Sequence, residues 1–155
     1  MHMAKKIILL VLCVLMLCFI WGNSVLSTET SVKISSTVGE MLAVFFGEGD
    51  ATETVGGLSV RKMGHFVEYF ALGVLMLSML TSWFKGAYVR YSLAAFSGLF
   101  VPVVDETIQI FSGRGSSLRD VWIDVGGYVC GVALACAAFA ILKGLESRVK
   151  NNNKK

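Results

Sequence analysis

The residues able to do chemistry in this 155-residue sequence gather in three short segments, and their spacing is helical. Arg61, His65, Glu68 and Leu72 follow one another at i, i+4, i+7 and i+11, a polar stripe that runs on into apolar packing. Asp105, Gln109 and Ser112 repeat the pattern further on, with Glu106 beside them, provided that a helix continues past Pro102. In the third segment Arg114 and Arg119 precede Asp120 and Asp124, which share a face with Gly127 and Gly131. An imidazole among carboxylates offers nitrogen and oxygen ligands to a divalent metal, or a general base with an acidic partner. Arginines beside Lys62 suit a phosphate or carboxylate, which guanidinium groups grip through two hydrogen bonds.

The elements that must position these residues are apolar. The chain is 55% hydrophobic and only 16% charged, with a mean hydropathy of +0.68, which excludes a cytosolic α/β protein, a secreted enzyme and a disordered tail. Apolar residues collect in four blocks, Ile7–Trp21, Phe66–Phe84, Ser92–Val104 and Val121–Leu142, each near the roughly 20 residues needed to span a bilayer. The expected fold is therefore all-α, a polytopic membrane protein built as a four-helix transmembrane bundle. Between the first two blocks, Val38, Met41, Leu42 and Phe45 stand at helical spacing and predict a short interfacial helix in the outer loop. Lys5-Lys6 followed by an apolar run also fits a secretory signal peptide, with a passable cleavage site at Val25-Leu26-Ser27, and the topology of the remainder is the same either way.

The net charge of +3 acts as an orientation signal. Nine of the fourteen basic residues lie in the N-terminus, the second connection or the C-terminal tail, and of the eleven acidic residues only Glu146 joins them. Positive charge concentrates on the cytoplasmic side, so both termini are expected inside and the three polar segments meet at the outer end of the bundle. Nucleic acid is not expected as a partner, because no aromatic or glycine interleaving accompanies the basic tail. Cys13, Cys18, Cys130 and Cys136 fall inside apolar blocks without metal-ligand spacing and are expected to be packing residues. Gly127-Tyr-Val-Cys-Gly131 has the GxxxG spacing that lets helix backbones approach closely, either within the bundle or in a homo-oligomer.

Taken in order, Arg61-Lys62-xx-His65-xx-Glu68-Tyr69, Asp105-Glu106-xx-Gln109, Gly113-Arg114 and Asp120-xxx-Asp124-xx-Gly127 resemble the VanZ-like family of small bacterial membrane proteins. The resemblance covers about residues 7–142. It implies a VanZ-like transmembrane domain over 1–145 with a basic cytoplasmic tail at 146–155, and a multi-pass protein of the bacterial cell membrane. It also implies a link to low-level resistance to the glycopeptide teicoplanin or to cell-envelope stress, without an established biochemical activity.

The polar set admits three readings. Its members can pair with one another as a salt-bridged cap. His65, Glu68, Asp105, Glu106, Gln109, Arg114, Asp120 and Asp124 can instead form an outward-facing site that binds an amphiphile, either the lipoglycopeptide drug or a lipid-linked cell-wall precursor. A membrane-embedded hydrolase acting on lipid head groups, with or without a metal, is the alternative, although neither HExxH nor a nucleophile elbow is present. Binding is favoured over catalysis. No cofactor is expected and no residue is assigned as a metal ligand.

Overall fold

A computed structural model of the chain describes residues 2–25, 54–55, 58–113 and 117–152. Four helices dominate: α1 (His2–Val25), α2 (Val60–Trp83), α3 (Ala87–Phe111) and α4 (Leu118–Asn152). A two-residue antiparallel pair, β1 (Thr54–Val55) with β2 (Leu58–Ser59), leads directly into α2. All four helices are long and apolar enough to cross a membrane, and the chain is a multi-pass membrane protein. At about 1.5 Å per residue, the 24 residues of α1 and of α2 span roughly 36 Å, slightly more than a hydrocarbon core of about 30 Å. The interfacial helix expected over Val38–Phe45 lies outside the described residues.

Short connections make successive helices antiparallel. Only 84–86 separate α2 from α3, so the two must run as neighbours in opposite directions. Lys6, near the start of α1, lies over the Trp83 ring at the end of α2, 5.5 Å from its centroid. At the opposite end Ser24 of α1 meets Asp105 of α3. The C-terminal ends of α1 and α3 and the N-terminal ends of α2 and α4 therefore share one end of the bundle, where the polar segments converge.

The interior holds Ile20, Tyr69, Leu72, Met76, Leu80, Ala94, Val101 and Tyr128, while Leu15, Phe19, Phe96, Phe100 and Leu134 face outward. An apolar exterior of this kind is suited to lipid, where helix association depends on close packing rather than on hydrophobic burial. Small residues supply that packing between α2 and α4. A Cβ at Gly127 would strike the Phe66 carbonyl, one at Gly131 the Phe70 carbonyl, and one at Gly73 the Tyr128 carbonyl. The GxxxG face is thus an internal seam. It fixes the face of α4 that turns inward and with it the direction of Asp124, three residues before Gly127. Helix α3 does continue past Pro102, carrying Asp105 and Gln109 on its buried side. Helix α4 runs unbroken through the apolar block and on to Asn152.

Candidate functional site

Asp105 sits six residues before the end of α3 and Asp124 six residues after the start of α4, each about 9 Å in from its helix end. Both are almost fully buried, at 0% and 1% exposure, and Gln109 and Glu106 are buried with them. Carboxylates at such depth are costly unless their environment supplies hydrogen bonds or opposite charge.

Asp105 receives that support from two helices. Ser24 Oγ donates to Asp105 Oδ1 at 2.5 Å, and Gln109 Nε2, one turn along α3, donates to Oδ2 at 3.2 Å. Gln109 also reaches Ser24 Oγ at 3.5 Å, closing a small ring of polar groups. Tyr69, fully buried on α2, packs beside Asp105. Next to this network Asn23 Nδ2 donates to Glu68 Oε1 at 3.0 Å, so the last turn of α1 ties α2 and α3 together.

His65 links the aspartates. Its Nδ1 lies 3.8 Å from Asp105 Oδ2 and 3.8 Å from Asp124 Oδ1. These separations exceed a hydrogen bond but are short enough for strong electrostatic coupling at low dielectric. Asp124 differs from Asp105: among the described residues neither of its carboxylate oxygens has a hydrogen-bond donor. Nearer the surface Lys62 Nζ pairs with Asp120 Oδ1 at 3.3 Å. Asp120 also lies in the first turn of α4, where the positive end of the helix dipole favours a carboxylate. Glu106 Oε2 accepts the Ser117 amide at 3.3 Å and so anchors the entry into α4.

Between α2, α3 and α4 these groups enclose a partly open cavity of about 110 Å³. Its lining comprises Lys62, His65, Glu106, Gln109, Asp120, Ile123 and Asp124. Among the described residues the lining carries three carboxylates, Glu106, Asp120 and Asp124, and the ammonium of Lys62. Beginning at Val125, immediately after Asp124, an apolar groove follows α3 and α4 past Tyr91, Ala94, Gly98, Tyr128 and Val132. Tyr128 is held there by Ser97, whose hydroxyl lies 3.0 Å from the phenol oxygen.

Of the eight residues expected at the site, His65, Glu68, Asp105, Glu106, Gln109, Asp120 and Asp124 are gathered at this end of the bundle. Arg114 lies outside the described residues. Arg119, considered with it as an anion ligand, is exposed. It is one residue, or about 100° of helix, away from the Asp120 face. Among the described residues a lysine–carboxylate pair is seen at the rim, where Lys62 meets Asp120, while Asp105 in the interior accepts hydrogen bonds from Ser24 and Gln109. Asn23, Ser24 and Tyr69 were not anticipated as site residues. The adjacent polar pair at the end of the first apolar block was the signal for the first two, because a polar side chain facing a bundle interior needs a partner there.

The family model described as VanZ/LLP1 matches residues 7–142, which include all four helices except the ends of α1 and α4. Comparison with curated proteins and with solved structures finds no match.

Proposed function

This chain belongs to the VanZ/LLP1 family, and from that premise we propose that it binds the polar head group of an amphiphile at the outer surface of the bacterial cell membrane, with both its termini in the cytoplasm. The observation that carries the proposal is the cavity itself, a buried polar site opening at one end of a bundle whose exterior is otherwise apolar. Ionisable residues are retained at membrane depth at considerable cost, and they typically mark functional sites. A structural cap would need only pairs. This site has, in addition, open volume and an inward carboxylate, Asp124, that accepts no hydrogen bond among the described residues.

The apolar groove that begins at Val125 supports an amphiphile over a free polar solute. A head group seated near Asp124 would pass its acyl or polyprenyl chain about 100° round α4 to the groove, which shares no lining residue with the cavity and runs about 10 Å from Val125 to Val132. Two sources share this chemistry, a lipid-linked cell-wall precursor and an acylated glycopeptide such as teicoplanin. Engagement of either would reduce productive capture of the precursor by the drug, which is how the family's link to glycopeptide resistance would arise.

The test is teicoplanin susceptibility of a bacterial host expressing the protein, with alanine variants at Asp105, Gln109 and Arg114 compared at equal membrane abundance. The variants are expected to lose the protection conferred by the wild-type chain. Unchanged susceptibility in all three would refute the proposal. Vancomycin, which lacks the acyl chain, separates the two sources: protection against teicoplanin alone indicates the acylated drug, and protection against both indicates the precursor.

A further inference from the structure

We propose that His65, Asp105 and Asp124 form a binding site for one divalent cation of the zinc or manganese class. One ligand atom from each residue can be chosen so that all three lie within 4.8 Å of one another. The residues come from α2, α3 and α4, so the set is made by the tertiary fold.

The separations suit an ion slightly smaller than the space now between the ligands. Two ligands bound at about 2.1 Å in tetrahedral arrangement are about 3.4 Å apart. His65 Nδ1 stands 3.8 Å from each carboxylate, so a few tenths of an ångström close those two pairs, and the two carboxylate oxygens, within 4.8 Å of each other, close by about 1.4 Å at most. An imidazole with two carboxylates is a borderline donor set, which favours zinc or manganese over a purely oxygen-seeking cation.

Asp124 supplies an observation independent of the clustering. It is 1% exposed and lines the cavity, yet among the described residues neither oxygen accepts a hydrogen bond. A carboxylate held at this depth without a donor is placed as a metal ligand would be. Asp105, by contrast, is oriented by Ser24 and Gln109, the kind of outer contact that fixes a liganding carboxylate. Three protein ligands leave at least one coordination position toward the cavity, as in metal sites that bind an exogenous oxygen. A cation there would also give a phosphate a ligand in a cavity whose described lining carries three carboxylates beside Lys62. This deepens the head-group reading, and its test is read without any lipid.

The full-length protein is purified in detergent with a histidine-free affinity tag, stripped with EDTA, dialysed against micromolar Zn²⁺ or Mn²⁺, and its metal content measured by mass spectrometry. One ion per chain is expected. Asp124→Asn and His65→Gln should each weaken retention at least tenfold, while Glu146→Gln on the exposed end of α4 should leave it unchanged. Visible absorption of the Co²⁺-loaded protein provides a second readout, with ligand-field bands expected in the wild type and lost in Asp124→Asn. Elution volume and melting temperature of the stripped variants establish that they are folded. Substoichiometric metal in the wild type, or equal retention and an unchanged Co²⁺ spectrum in folded Asp124→Asn, overturns the proposal. Lipid binding by metal-free protein would remove the bridging role alone, and metal binding without lipid would leave the cation site standing while the head-group reading falls.

Discussion

Replacing Gly131 by alanine tests the geometry on which the site depends. A methyl group at this position would overlap the Phe70 carbonyl oxygen, which is backbone of α2 and cannot swing away as a side chain would. The substitution has two effects of opposite sign. Alanine is the better helix former by about 1 kcal/mol, and overpacking a tight contact costs about 1–3 kcal/mol. A methyl group at Gly126, on the same helix, would meet nothing within 4 Å, so Gly126→Ala gains the helix term without the clash. The difference between the two variants isolates the packing cost, and Gly131→Ala should be less stable than Gly126→Ala by about 1–3 kcal/mol. Thermal unfolding in detergent, followed by thiol-reactive dye labelling of the native cysteines, measures both variants under identical conditions. Equal melting temperatures would refute the α2–α4 seam and the inward direction of Asp124 that follows from it.

Ser24→Ala removes the donor to Asp105 Oδ1 and should destabilise the protein by about 1–3 kcal/mol, the cost of a buried acceptor losing its partner; the same melting assay checks it against Ser147→Ala on the exposed part of α4. Lys62→Met should change stability by less than about 1 kcal/mol, because the pair with Asp120 is partly exposed and screened, and a larger loss would mean that the rim holds the bundle together. Tyr128→Phe should cost about 0.6 kcal/mol, the mean for a hydrogen bond between membrane helices, as read in the same melts. For orientation, cysteines introduced at Gly86 and Leu118 in a variant without native cysteines should react with a membrane-impermeant maleimide from opposite sides of intact cells, Leu118→Cys from outside and Gly86→Cys only after permeabilisation.

The four spans were legible because each apolar block is long enough to cross a bilayer. The polar convergence was legible for the same reason, since up-and-down topology dictates which helix ends meet. Helical period placed Asp120, Asp124, Gly127 and Gly131 on one face of α4, and that face is the one packed inward. Period acts within a single helix, however, and does not give distances between helices. The approach of His65 to Asp105 and Asp124 was therefore not readable from spacing, and the choice between an internal seam and an oligomer for the GxxxG face waited on the fold. Asn23 and Ser24 were obscured by the Ser/Thr-rich sequence that follows them, which made the end of α1 look like the start of a loop. Arg119 is exposed because a one-residue offset rotates it off the face that Asp120 and Asp124 share.

The most direct measurement is native mass spectrometry of the detergent-solubilised protein titrated with a lipid-linked cell-wall precursor and with teicoplanin, compared with a Gln109→Ala variant that elutes like the wild type and is folded at the assay temperature. A head-group site at this end of the bundle predicts a one-to-one complex with at least one of these amphiphiles and a tenfold or greater weakening when Gln109 is replaced. Absence of a complex with either, or equal binding by the variant, would contradict it.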